Sequence, residues 1–232
     1  MNKTFLSLAP FYALILTGLI LICAVGDRAV TAMSESVAPD TRHTVIIDPG
    51  HGGVDGGATS YSGVLESTIN LDICVKLNDL LHLFGLRTIM IRDTDRSVYT
   101  NGETIAQKKV SDLRERVRII NSTANAILIS IHQNTFSDDK YWGSQVFYAA
   151  TDGSKDLAQK MQKQIKDCIA PGNNRKSKQS SGVYLMENIQ CTGILLECGF
   201  LSNPKEEALL LDSDYQKVLC ATITAVLIDY LS

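Results

Sequence analysis

The chain has 232 residues, a formal net charge of −3, 20% charged residues and 45% hydrophobic ones. That balance excludes the basic footprint of a nucleic-acid binder and the polar bias of a disordered chain. The length is enough to bury one full core.

In chain order, an apolar run comes first. Lys3 precedes an uncharged stretch from Phe5 to Gly26, which Asp27 and Arg28 close. The stretch exceeds the ~7–15-residue core of a secretory signal and is long enough for a membrane-spanning helix. Pro10 and Gly18 interrupt it, and Val30-Thr31-Ala32 offers a small-residue cleavage site. Residues 1–35 are therefore expected to form a signal peptide or membrane anchor, 36–43 a linker and 44–232 one domain. Release and retention both stay open, but either way the domain is exported, secreted or anchored outside the cytoplasmic membrane. A buried core helix is the plainer alternative, though nothing amphipathic accompanies the run. Beyond it lie Cys74, Cys168, Cys191, Cys198 and Cys220. An odd number cannot all pair within one chain, and no CxxC offers a thiolate metal site. Cys74 and Cys220 fall on apolar helical faces, where a thiol serves as a small hydrophobe.

Thr44-Val45-Ile46-Ile47 reads as a strand stopped by Asp48-Pro49-Gly50, with a glycine-rich loop through Gly57. From Glu66, Ile69, Ile73, Leu77, Leu80 and Phe84 recur at helical spacing until Gly85. Leu86–Ile91 reads as a strand, 93–108 as a polar surface loop and Ser111–Asn121 as a helix. Ala126–Ile131 is continuously apolar, as a strand buried on both faces is. Ser144–Ala149 is a further strand, Asp156–Ile169 a helix and Pro171–Ser181 a basic loop carrying Arg175, Lys176 and Lys178. Val183–Met186 and Gly193–Leu196 read as short strands, and Lys205–Leu211 and Tyr215–Leu231 as helices. Strands alternating with helices predict a layered α/β fold around a largely parallel sheet, whose chemistry gathers at the carboxyl ends of the strands.

Four histidines are present. His43 and His82 are expected at the surface. His51 and His132 each end an apolar strand, followed by Gly52-Gly53 and Gln133-Asn134. One histidine in such a place is more often structural; two beside a glycine-rich loop point to a metal. Two imidazoles and a carboxylate make a catalytic zinc site that leaves a fourth position for water. Glu66 is the candidate carboxylate, although the helix macrodipole alone also explains an acid in a first turn. Glu197 stands where Ile194-Leu195-Leu196 ends. Burying its charge is costly unless it is paired or used; a salt bridge to Arg92 is the structural alternative.

Three segments resemble the zinc-binding motifs of the N-acetylmuramoyl-L-alanine amidase 3 family: Asp48-Pro49-Gly50-His51-Gly52-Gly53, Glu66-Ser67-Thr68-Ile69-Asn70 and Ser130-Ile131-His132-Gln133-Asn134. Glu197-Cys198-Gly199-Phe200-Leu201-Ser202-Asn203 resembles that family's catalytic glutamate motif. The likeness runs from about Thr44 to the C-terminus. It implies a mixed sheet of about six strands flanked by helices, Zn2+ held by His51, Glu66 and His132, and Glu197 as general base and then acid. The implied reaction is hydrolysis of the amide between N-acetylmuramic acid and L-alanine in peptidoglycan. Thr192 and Gly193 stand where the family commonly has a proline before the catalytic strand. Lys108–Leu113 and Trp142–Tyr148 are similar to the germination-specific branch. That likeness implies a role in spore cortex, a forespore intermembrane location and a peptidoglycan deacetylase in the same pathway that completes muramic-δ-lactam. Asn134, Trp142 and Arg175 are candidate contacts to glycan and acidic stem peptide. Little room remains between His132 and Glu197 for an inhibitory helix, so an activating membrane or wall-associated protein is expected, with 93–108 and 171–181 as docking candidates. A catalytically inactive wall-binding module, a vegetative or division amidase and a zinc hydrolase of other substrates are the rival readings.

Overall fold

The computed structural model describes residues 43–232; the expected leader at 1–35 and the linker up to residue 42 lie outside the described residues. Strand β1 (Thr44–Pro49) leads through the glycine-rich loop to helix α1 (Glu66–Leu83), followed by β2 (Arg87–Met90), α2 (Ile105–Asn121) and β3 (Ala126–Asn134). Then come β4 (Gln145–Tyr148), α3 (Ser154–Cys168), β5 (Lys178–Gln179) and α4 (Tyr184–Asn188). Strand β6 (Thr192–Phe200) and helices α5 (Pro204–Leu211) and α6 (Ser213–Leu231) close the chain. The strands form one sheet in the order β2-β1-β3-β6-β4-β5. Only β4 against β6 is antiparallel, so the sheet is mixed and largely parallel, as expected.

Alternate residues of each strand feed opposite faces. Ile47, Ile129 and Leu196 pack with Ile73 and Leu77 of α1, Met161 of α3 and Ile223 of α6. Ile46, Leu128 and Leu195 turn the other way, onto Ile120 of α2 and Leu185 and Met186 of α4. Along that second face the side chains become polar toward the carboxyl ends. Ile46 gives way to Asp48, Leu128 to Ser130 and His132, and Leu195 to Glu197. The apolar halves of the strands thus build the core, and their polar ends carry the chemistry.

The structure corrects two sequence expectations. The stretch 93–108 is not all loop, because α2 begins at Ile105. Thr104 caps it: Gln107 N donates to the Thr104 hydroxyl (3.2 Å) and Thr104 N to the Gln107 side chain (3.1 Å). Ile105 and Val110 are exposed, so hydrophobic spacing does not register these first turns. Val183–Met186 is not a strand; Tyr184–Asn188 is helical, and one turn is enough to bury Leu185 and Met186. A short apolar run does not separate those two outcomes. Within the basic loop 171–181, Lys178–Gln179 adds a short edge strand.

Candidate active site

Two buried arginines fix the exit of β1. Arg92 donates to the main-chain carbonyls of Pro49 (2.9 Å), Gly50 (3.0 Å), Ser67 (2.8 Å) and Thr94 (3.2 Å). Its donors therefore serve backbone, and the salt bridge to Glu197 offered as a structural alternative is not formed. Arg116, on α2, pairs with Asp48 and donates to the carbonyls of Pro49 (3.0 Å) and His51 (2.6 Å). Asp112 accepts from its Nε (2.6 Å), and the Ser130 hydroxyl donates to Asp48 (2.7 Å). Burial pushes the Asp48 carboxyl up, but Arg116, Ser130 and His132 outweigh it and hold it below the ordinary range. Between these clamps the chain turns sharply enough to put His51 in the left-handed region, at φ 62°. That conformation is uncommon for a side-chain-bearing residue.

Glu66 opens α1 with both carboxylate oxygens engaged. Oε2 accepts from Ala58 N (2.9 Å) and lies 3.3 Å from His51 Nε2. Oε1 lies 3.0 Å from His132 Nδ1 and accepts from Gln133 N (3.1 Å) and Asn70 Nδ2 (3.3 Å). The two imidazoles meet edge to face, their centroids 5.0 Å apart. Gly50 and Gly57 make room for this cluster. A Cβ on Gly50 would fall 2.2 Å from His132 Cε1, and one on Gly57 would fall 2.5 Å from Glu66 Oε2. Ligand atoms of His51, Glu66 and His132 all lie within 4.8 Å of one another, and the group can hold a metal ion. Two imidazole nitrogens and one carboxylate are the donor set of a tetrahedral zinc site with an open position. Burial disfavours a charged His51, yet Glu66 and Asp55 raise it to about 9. Burial likewise disfavours a charged Glu66, but His132 and His51 hold its carboxyl far below the usual range. A cation entering here competes with protons on the imidazoles.

Glu197 belongs to the same row. It pairs in register with His132 on β3 and with Gln145 on β4, so the three residues lie side by side across adjacent strands. Among the described residues its Oε2 is buried without a hydrogen-bond partner. Burial pushes its carboxyl up; His132 and His51 oppose that rise, while Glu66 adds to it. A cleft of about 340 Å³ opens beside the cluster, lined by His51, Asp55, Lys109, His132, Val183 and Tyr184 among others.

The three candidate substrate contacts lie outside the ligand cluster. Asn134 ends β3 opposite Phe200, half-buried, and its carbonyl accepts from Leu201 N (2.8 Å). Trp142 is exposed. Arg175 Nε donates to the Trp142 carbonyl (2.9 Å), its Nη1 donates to Gln145 Oε1 (3.2 Å), and the guanidinium lies 4.6 Å over the Phe200 ring. Trp142 and Arg175 thus form one lip, joined through Gln145 to the Glu197 row. His82 is exposed and bonds Thr88, whereas His43 is half-buried rather than on the surface. Cys74, Cys168, Cys191, Cys198 and Cys220 are all free thiols. Sequence reasoning missed Asp55 and Arg116, and it named Arg92 only as a partner for Glu197, not as the clamp on main-chain carbonyls that it is. Asn70 and Gln133 stand inside the quoted motifs, but their bonds to Glu66 are visible only in three dimensions.

A mixed sheet with a His–Glu–His cluster at its carboxyl ends, and a half-buried acid one strand away, defines a metal-capable hydrolase centre. The sequence pattern of the N-acetylmuramoyl-L-alanine amidase family matches residues 45–229, and the chain belongs to that family. It is 36% identical over 190 residues to the germination-specific N-acetylmuramoyl-L-alanine amidase of Bacillus subtilis (strain 168), covering 80% of this chain and 78% of that protein. The amidase LytC of the same strain is 28% identical over 77% of this chain, which spans 33% of that protein. Among solved structures, the CwlD amidase of Clostridioides difficile in complex with the GerS lipoprotein is 39% identical with a TM-score of 0.76. The match covers 81% of this chain and 98% of that one. The chain is accordingly an enzyme of the peptidoglycan amidase class, acting on the bond between N-acetylmuramic acid and L-alanine.

Proposed function

We propose that this chain is an exported zinc amidase of the spore cortex, with His51, Glu66 and His132 holding Zn2+ and Glu197 moving the proton. The observation that carries the reading is the Glu197–His132 register, which sets a buried, unpartnered carboxylate oxygen beside the ligand cluster. Zinc, when bound, supplies Lewis acidity to a water and to the scissile carbonyl. Glu197 accepts a proton from the attacking water at Oε2, the carboxylate oxygen that has no hydrogen-bond partner among the described residues. Hydroxide adds to the lactyl carbonyl carbon, the carbon–nitrogen bond breaks, and Glu197 returns the proton to the alanine nitrogen. Arg116 and Arg92 keep the His51 loop in place, and Gly50 leaves the His132 ring its space. Trp142, Arg175 and Asn134 contact glycan and stem peptide.

The product, a muramic acid freed of its peptide, is what a deacetylase needs to complete muramic-δ-lactam. That pathway role places the enzyme in the forespore intermembrane space. Likeness to the germination-specific amidase of B. subtilis supports the cortex assignment. The CwlD structure in complex with a lipoprotein supports a protein partner at the membrane. No helix among the described residues is long and apolar enough to cross a membrane, so anchoring would rest on the leader. The test is the chemistry of a digest. Purified cortex peptidoglycan treated with the zinc-loaded chain should release new L-alanine amino groups without new reducing ends. Reducing ends, or cleavage between amino acids of the stem, would refute the amidase reading.

A further inference from the structure

His51 and His132 are positioned in different ways. The His132 ring fills the space over Gly50, at the end of a strand paired on both sides. His51 sits in a loop at a left-handed backbone angle, and its side chain is 25% exposed. Its ring rests against Gly57. Such a contact reads shape alone, and turning an imidazole over exchanges Nδ1 with Cδ2 and Nε2 with Cε1 at nearly the same shape. Something other than packing must keep Nε2 toward Glu66, from which it lies 3.3 Å.

Asp55 can do this. Its Oδ2 lies 2.9 Å from His51 Nδ1, and an ionised carboxylate only accepts, so Nδ1 carries a proton and Nε2 is the nitrogen left to give its lone pair to a metal. The other oxygen is taken: Lys109 Nζ lies 2.7 Å from Oδ1, and Gly57 N donates to it at 3.3 Å. Asp55 and Gly52 also exchange main-chain hydrogen bonds at 2.7 and 3.2 Å, closing the loop on itself. Lys109 belongs to α2, two turns before Arg116, which holds the His51 carbonyl. One helix therefore grips His51 twice, through its backbone and through its ring.

We propose that Asp55, held by Lys109, is the positioning residue that fixes the tautomer and ring orientation of His51 and so sets the metal affinity of the site. The inference rests on His51 being a metal ligand. A carboxylate behind a ligand imidazole raises its basicity and saves the cost of ordering the ring. The measurement is the Zn2+ affinity of the full chain, by competition with a chromogenic chelator, for wild type, D55A, K109M and K109R. Melting of each protein with and without Zn2+ is recorded alongside. D55A should bind Zn2+ roughly 10–100-fold more weakly. K109M should shift the same way by less, and K109R should restore the affinity. The zinc-free melting points should stay together while the rise on adding Zn2+ shrinks in D55A. Wild-type affinity in D55A and K109M would overturn the proposal, as would a fall in zinc-free melting with the zinc-induced rise intact. A wild-type chain that binds no Zn2+ would remove the ligand assignment itself, and this inference with it.

Discussion

A methyl group added at Gly50 would fall 2.2 Å from His132 Cε1 and 2.3 Å from Nε2. The backbone there cannot retreat, because Asn70 and Arg92 both donate to the Gly50 carbonyl. Gly50→Ala should therefore displace the His132 ring and weaken Zn2+ binding by about tenfold or more, as read by chelator competition; unchanged affinity would mean the ring is not held there. His51→Ala and His132→Ala each leave two ligands. In zinc-supplemented samples both variants should hold far less zinc than wild type by elemental analysis and lose amidase activity, and wild-type zinc content with wild-type activity would refute the ligand assignment. The two candidate histidine ligands were legible in the sequence because each follows an apolar strand, whereas Glu66 was singled out by the family resemblance, since the helix macrodipole alone explains an acid there. Arg92 and Arg116 were not, since their partners are main-chain carbonyls far away in sequence that carry no residue-type signal. Asp55 lies unmarked in the glycine-rich loop, and only its 2.9 Å distance to His51 singles it out.

Helix α2 shows what happens at the next scale. Its buried stripe was read from hydrophobic spacing, but its first turns face solvent and only the Thr104–Gln107 box marks them. The same helix supplies Arg116, whose guanidinium is buried with Asp48 between α2 and the sheet. Arg116→Met would strand the Asp48 charge in the interior and should cost on the order of 3–5 kcal/mol in denaturant unfolding. A loss under ~1 kcal/mol would show that the pair contributes little. The pH dependence has a definite sign. Folding holds the Asp48 carboxyl below its unfolded value, so the pair's stabilisation is complete above the ordinary aspartate range near pH 4. It is lost as pH falls through the lower folded value. Acid titration of unfolding should show this loss in the wild type and a smaller one in Arg116→Met; equal losses would contradict it. The largely parallel sheet followed from the alternation of elements and its mixed, six-stranded form from the family resemblance, while α4 escaped because four apolar residues fit a strand or a helical turn equally well.

At the scale of the molecule, the His51 loop is held by α2, whose N-terminal turns and preceding loop 93–104 are largely exposed. A partner that binds the zinc-loaded form more tightly must raise zinc affinity by the same factor. The chain alone is therefore predicted to hold substoichiometric zinc and to digest peptidoglycan slowly. Full loading and fast digestion without any added protein would contradict partner dependence while leaving the amidase assignment intact. The division of labour between metal ligands and proton carrier is tested most directly by one paired measurement on wild type and Glu197→Gln. Zinc content and release of L-alanine amino groups from cortex peptidoglycan are determined on the same zinc-supplemented samples. Both proteins should carry zinc equally, with the variant releasing amino groups about 10²-fold or more slowly. Wild-type turnover by Glu197→Gln, or loss of its zinc, would contradict the assignment.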